Sequence, residues 1–234
     1  MKKKALTVSV VVPTYNEEKL IGRTLKNLRK ITPKGTEIIV CDGHSKDGTM
    51  KIARKYARAI LEHGHSIGAG RNTGAEASKG DILWFVDADT FPTKEFYEKM
   101  MKTFEDDKVL CVGAHIMPEN ASTFRKVFFH FLNFIVAATV FVGKASIAGS
   151  CVAYRRSIFM QLNGFDTETA SAEDMGLSQR VAAVGKVVFL YHVVVPTSDR
   201  RVCQLGLLGL IKDWTRTTVW FLAGKKTASY FAPR

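Results

Sequence analysis

Two aspartates, Asp87 and Asp89, stand one residue apart directly behind the run Ile82-Leu83-Trp84-Phe85-Val86. Five consecutive apolar residues describe a strand buried on both faces. The ends of such strands are where α/β sheets bind their ligands. Paired carboxylates there suit a hard divalent cation, and a cation suits phosphate. Asp42 ends the apolar run 38–41 in the same way. Two strand ends carrying carboxylates point to a common site more strongly than either does alone.

Other residues could complete such a site. Pro13-Thr14-Tyr15-Asn16-Glu17 follows the apolar run 8–12. This loop either offers backbone N–H groups and polar side chains to a nucleotide or is a capped helix start with Asn16 as the cap. Gly68-Ala69-Gly70-Arg71-Asn72-Thr73-Gly74 has the spacing G-x-G-x-x-x-G and no clear strand directly before it, which excludes a dinucleotide fingerprint. Arg71 within it either faces a diphosphate, whose oxygens match its fork of donors, or is an exposed helix arginine. Glu173 and Asp174 open a helical stretch, where acids are stabilised by the helix dipole; one of them could also act as a general base. His192, behind the apolar run 187–191, is a metal ligand or a structural histidine.

The elements that must hold these residues alternate in type. Strands are expected at 8–12, 38–41, 59–61 and from 82, with helices over 17–31, after the turn 42–49 and over 67–78. That alternation gives a mostly parallel central sheet flanked by helices. Further on, strands are expected at 109–115, 148–154 and 187–191, with helices over 173–184 and 205–222. Between the first two of these strands lies a very apolar segment, 127–142. It is short for crossing a bilayer and reads as a core helix or an interfacial one. Arg125, Lys126 and Lys144 flank it, while Lys212, Arg216, Lys225 and Lys226 accompany Trp214 and Trp220 on or near the last helix. Basic flanks of this kind meet anionic lipid.

With 234 residues, 46% hydrophobic and 24% charged, the chain reads as one globular domain. Its net charge of +12 favours an anionic partner, yet the basic residues are scattered, so nucleic acid is not expected. Cys41, Cys111, Cys151 and Cys203 form no C-x-x-C, and three of them sit in apolar runs as buried thiols would. Lys2-Lys3-Lys4 leads only into a short apolar strand, without a signal-peptide core, so a cytoplasmic location is expected.

Taken in order, these motifs resemble family 2 glycosyltransferases of the GT-A fold. The resemblance runs through Pro13–Glu17, the turn 42–49, Gly70-Arg71-Asn72-Thr73-Gly74, Gly80-Asp81, Asp87-Ala88-Asp89, Gly164-Phe165-Asp166 and Glu173-Asp174, covering residues 7 to about 195. It implies a nucleotide-diphospho-sugar donor, UDP- or GDP-linked, and Mg²⁺ or Mn²⁺. Pro13, Tyr15, Glu17 and Asp42 would hold base and ribose, and Arg71 would approach the base or diphosphate. Asp87 would contact ribose or the metal, Asp89 would ligate the metal, and Asp174 beside Glu173 would be the general base of an inverting displacement; His192, by its place behind a strand, is a further candidate ligand of that metal. The resemblance also divides the chain into a nucleotide-sugar half (1–105), an acceptor half (106–195) and a C-terminal helical segment (196–234). The expected acceptor is a hydroxyl or a lipid-linked phosphate at the cytoplasmic face of a membrane. Many relatives carry Asp-Asp-Gly-Ser where this chain has Asp42-Gly43-His44-Ser45, which bears on the base recognised. The Q-x-x-R-W motif of processive synthases is absent, so a single transfer is expected.

Two alternatives stand beside this. Asp87-Ala88-Asp89-Thr90 also fits the strand–D-x-D-x-T signature of haloacid-dehalogenase-type phosphatases, with Asp87 as nucleophile. A non-catalytic nucleotide-sugar-binding, membrane-associated protein would keep the fold without turnover.

Overall fold

The computed structural model describes residues 5–64, 66–168 and 172–223. Seven strands form one sheet: β1 (Val8–Thr14), β2 (Glu37–Asp42), β3 (Arg58–Leu61), β4 (Ile82–Val86), β5 (Val109–Pro118), β6 (Cys151–Arg155) and β7 (Lys186–Thr197). Their order is β3-β2-β1-β4-β6-β5-β7. All neighbouring pairs are parallel except the two made by β6, which runs against both β4 and β5. The helices are α1 (Ile21–Ile31), α2 (Thr49–Ala53), α3 (Ile67–Glu76), α4 (Lys94–Thr103), α5 (Thr123–Phe141), α6 (Arg156–Gln161), α7 (Glu173–Ala182) and α8 (Arg200–Leu222).

The continuous apolar run of β4 is explained by burial on both faces. Ile82, Trp84 and Val86 pack with Leu25 and Leu28 of α1 and Phe96 and Met100 of α4. Leu83 and Phe85 pack with Phe159, Phe165, Leu177 and Val181 on the other face. Strand β4 therefore has no freedom to slip: a shift of one residue would exchange the two faces. This fixes the position from which Asp87 and Asp89 project.

The structure corrects several boundaries. Strand β1 continues through Pro13, which pairs with Cys41, whereas β4 accompanies β1 only as far as Val11 opposite Phe85. On the β4 side there is no ladder at Pro13 for its missing N–H to break. Asn16 is not the cap of α1, whose N-cap position is Leu20 with no side-chain bond. Asn16 instead adopts φ 53 and ties two loops together, its N–H donating to Ser45 Oγ and its Oδ1 accepting from Lys46 N. Helices α4 and α6 were not anticipated, and β7 extends six residues beyond Tyr191. Cys41, Cys111 and Cys151 are buried, as expected, and Cys203 is exposed.

The segment 127–142 is not a core helix. Of the nineteen residues of α5, only Phe129 and Asn133 are buried. Asn133 clips the helix to β5, accepting from Ile116 N and donating to Ile116 O. Its opposite face presents Phe124, Val127, Phe131, Phe134, Ile135 and Phe141 to solvent. Helix α8 bends at Gly206, where φ is 64, and packs Leu210 and Trp214 against Phe129. Lys225 and Lys226 lie outside the described residues.

Candidate functional site

A cleft of about 680 Å³ opens at the ends of β1 and β4. Its lining falls into three groups. Pro13, Thr14, Tyr15, Gly43, Glu62 and Ser66 line it from β1 and from the loops after β1, β2 and β3; Glu17, Asp87, Asp89, Ser150 and Arg200 are further polar lining residues. The third is apolar, with Ile116, Phe129, Leu210 and Trp214.

Arg71 is placed differently from either sequence-based expectation. Helix α3 lies close on the sheet because Gly74 leaves no side chain: a Cβ there would come within 2.3 Å of Val11 Cγ1. That contact sinks Arg71 to 2% exposure beneath the cleft. Its guanidinium donates to Asp87 Oδ1 at 2.9 Å and to Glu173 Oε1 at 2.7 Å. Gly149 packs over it so tightly that a Cβ would come within 2.6 Å of Nη1. Burial works against the charge of Arg71, but Asp87, Glu173 and Asp174 outweigh it and hold its pKa above the usual arginine range. Arg71 is thus the brace that joins the end of β4 to the start of α7, and it is not among the residues lining the cleft.

Glu173 shares this interior. It is 6% exposed, and burial together with the neighbouring Asp174 pushes its carboxyl up to about 7 against the pull of Arg71. A carboxyl turned inward onto an arginine cannot meet an acceptor, so Glu173 is corrected from candidate base to positioning residue. Asp174 is half-buried and, like Arg71, is not among the residues lining the cleft, but it is bonded to Gly149, the neighbour of the lining residue Ser150. Its Oδ2 accepts from Gly149 N at 2.7 Å and its Oδ1 from Met175 N at 2.8 Å. Each oxygen retains a second lone pair.

Asp89 sits among like charges. Burial, then Asp87 and Glu17, push its carboxyl up to about 7, with Arg200 pulling the other way. Arg200 grips Glu17 through two bonds, Nη1 to Oε2 at 3.0 Å and Nη2 to Oε1 at 2.5 Å, and stands 3.5 Å from Asp89 Oδ2. Arg200 therefore serves two carboxylates, Glu17 and Asp89, while Asp87 draws on Arg71, and a divalent cation would relieve the remaining repulsion between Asp87 and Asp89. Among the described residues no group of three or more His, Cys, Asp or Glu could hold a metal by itself. Asp87 and Asp89 fit a cation that takes its other ligands from phosphate oxygens and water, the usual coordination of Mg²⁺.

His192 does not belong to that set. It is exposed in the bulge of β7 between Leu190 and Val194, with its ring against Tyr191. Thr197, whose hydroxyl reaches the Asp89 carbonyl, lies five residues farther along the strand, or roughly 15 Å at strand rise. The metal-ligand assignment of His192 is overturned by that separation. Asp42 does not line the cleft either: it is 1% exposed, with Oδ2 accepting from Ser45 N and Oδ1 from Ser45 Oγ, so its burial keeps it from a ligand. Pro13, Tyr15, Glu17, Asp87 and Asp89 do come together in the cleft.

Two cleft residues escaped the sequence reading. Arg200 follows β7 in Asp199-Arg200-Arg201, a cluster of charge behind an apolar strand. The criterion that singled out Asp42 and Asp87 would have found it had β7 been extended to Thr197. Glu62 follows β3, whose brevity hid its end.

The sequence model described as "Glycosyl transferase family 2" matches residues 9–162. Glycosyltransferase AglE of Haloferax volcanii is 30% identical over 200 residues, covering 80% of this chain and 65% of its own length. Among solved structures, mannosyltransferase PcManGT from Pyrobaculum calidifontis, in complex with GDP-Man and Mn²⁺, aligns with a TM-score of 0.69 and 23% identity over 92% of this chain and 65% of that one. Staphylococcus aureus TarS 1–349 in complex with UDP-GlcNAc aligns with a TM-score of 0.69 and 21% identity, covering 83% and 59%. The chain spans less than two thirds of the length of each of these proteins.

Proposed function

Because the chain belongs to glycosyltransferase family 2 and has the GT-A fold, we propose that it transfers a sugar from a nucleotide-diphospho-sugar to an acceptor hydroxyl or lipid-linked phosphate. The observation that carries this reading is the convergence of Asp87, Asp89, Glu17 and Arg200 on one cleft at the ends of β4, β1 and β7. The donor classes named for the two structural neighbours, a GDP-sugar and a UDP-sugar, support it.

In this reading Pro13 and Tyr15 flank the nucleoside, Asp87 and Asp89 face the diphosphate, and Arg200 supplies fixed positive charge beside them. Bound Mg²⁺ or Mn²⁺ would serve as a Lewis acid for the leaving diphosphate. Asp174 removes the proton from an acceptor hydroxyl as its oxygen bonds to the anomeric carbon. The bond from that carbon to the diphosphate oxygen breaks, and the electron pair leaves with the nucleotide. One displacement inverts the anomeric centre, and without a Q-x-x-R-W motif each encounter transfers one sugar. The phosphatase alternative loses its ground here, because Asp87 Oδ1 is already engaged by Arg71 and the family match spans the sheet on both sides of it. A binding-only role is disfavoured by the presence of Asp87, Asp89 and Asp174 together.

Mn²⁺ with a nucleoside diphosphate at about a hundred times its dissociation constant is expected to raise the melting temperature by roughly 5–10 °C. Absence of any shift with GDP, UDP or dTDP would sink the reading.

The reading extends to a peripheral place on a membrane, and helix α5 supports that contact. Phe131 and Phe134 are each 60% exposed and Phe141 91%, with Lys126 and Lys144 beside them. The face behind them is fastened to β5 through Asn133 and to α8 through Phe129, so α5 fits a helix lying along a bilayer surface. Its inner residue Phe129 also lines the apolar wall of the cleft, which suits a lipid-linked acceptor. Flotation with vesicles containing phosphatidylglycerol is expected to recover the protein at low salt. The double change Phe131→Ser and Phe134→Ser should lower that recovery at least about tenfold, since each removes a large apolar contact with lipid. Equal recovery of both proteins would rule out α5 as the contact.

A further inference from the structure

We infer that Glu62, and not Asp42, reads the donor's nucleobase, and that it selects guanine; the inference rests on the nucleotide-sugar reading of the cleft. Glu62 follows β3, is 9% exposed and lines the same cleft as Thr14 and Tyr15. Its carboxyl occupies space left by two glycines. A Cβ on Gly43 would lie 3.4 Å from Oε1, and one on Gly70 would lie 2.8 Å from Oε2. The carboxyl has no hydrogen-bond or ion-pair partner among the described residues, while both oxygens of Asp42 are bound by Ser45. Thr14 Oγ1, which also lines the cleft, is a buried polar atom without a partner among the described residues. A carboxylate that faces the cleft with both oxygens uncommitted is free to accept donors from a ligand.

The chemistry of the bases then decides. The Watson–Crick edge of guanine carries two adjacent donors, N1–H and N2–H, which a carboxylate can accept with its two oxygens. Uracil and thymine offer a single N3–H between two carbonyl oxygens, so the second carboxylate oxygen would face a carbonyl. Adenine and cytosine pair one donor with one acceptor.

Burial, then the charge of Asp42 at the end of β2, push the Glu62 carboxyl up to about 7. The other titratable groups around it are Cys41, held as a neutral thiol with its pKa raised to about 12, Tyr15, and His63 next along the chain. Arg71, beside Gly70 on α3, is committed to Asp87 and Glu173. Acceptance from guanine requires the ionised form. Its fraction rises about tenfold between pH 6 and pH 8, and affinity that depends on that form rises with it.

The test is calorimetric titration of the chain with GDP and with UDP, each with Mn²⁺, at pH 6 and pH 8. Taking the ratio of the two affinities cancels what the diphosphate and the metal contribute. GDP should bind at least about tenfold more tightly than UDP at pH 8, and the ratio should fall about tenfold at pH 6. Glu62→Gln, which presents one acceptor and one donor, should remove the pH dependence and reverse the preference toward UDP. Equal binding, a preference for UDP, or a ratio unmoved by pH in the unmutated protein overturns the assignment while leaving the sugar-transferase reading standing. Failure to bind either nucleotide overturns both.

Discussion

Asp89→Ala is expected to lower sugar transfer by about 10²–10³-fold or more, the scale set by removing one preorganised group that stabilises developing charge. The same change should abolish the Mn²⁺-dependent part of nucleotide binding. It should not lower the melting temperature of the unliganded protein. Among the described residues the Asp89 side chain makes no hydrogen bond within the fold; the contacts to Ser198 N and Thr197 Oγ1 are made by its backbone carbonyl, which alanine keeps. Its carboxylate lies near Asp87 and Glu17 with Arg200 at 3.5 Å as the opposing charge, so deletion removes repulsion as well as attraction. A structural aspartate behaves in the opposite way, losing stability and activity together. Calorimetric melting beside a radiolabelled transfer assay separates the two, and a large drop in melting temperature with metal-dependent binding intact would refute the role.

The contrast between Asp89 and Arg71 shows which parts of the site could be read from the chain. A carboxylate at the end of a two-faced apolar strand is a local pattern, and β4 needed only its own five residues to declare where Asp87 and Asp89 would stand. Parallel sheet alternation was legible for the same reason, since each β–α repeat announces itself by period. Arg71 was not legible in this way. Its burial depends on Gly74 letting α3 approach β1, and its partners Asp87 and Glu173 lie 16 and 102 residues away. Both sequence-based options placed its charge outside the protein, toward ligand or water, because an arginine without visible partners is costly to bury. The partners came from the fold.

His192 failed for a related reason. The apolar run in the sequence stops at Tyr191, which puts the histidine at the apparent strand end, where ligands bind. In fact β7 continues through a bulge to Thr197. The residue that reaches the site from this strand end is Arg200. Segment 127–142 was ambiguous because composition cannot report which side of a helix meets protein. Asn133 decides it: one buried amide, saturated by Ile116 and Phe129, fixes the inner face and leaves the phenylalanines outside.

Asp174→Asn provides the sharpest account of the chemistry, because its effect depends on the acceptor. The substitution keeps volume but leaves one acceptor oxygen for the two N–H groups of Gly149 and Met175 that Asp174 now serves. Donor binding uses the other side of Arg71 and should stay within a few-fold of the unmutated protein. Transfer to a hydroxyl should fall by about 10²–10⁴-fold, the usual range for loss of a general base. A phosphate acceptor carries its own charge, since its second pKa is about 6, and above that pH it needs no base. With such an acceptor the loss should shrink as the pH rises from 5.5 to 8, whereas with a hydroxyl it should persist throughout. Transfer to a hydroxyl at the unmutated rate would remove Asp174 as base. Glu173 could not then take its place without breaking its bond to Arg71 and loosening Asp87, so the proton would have to leave by way of solvent.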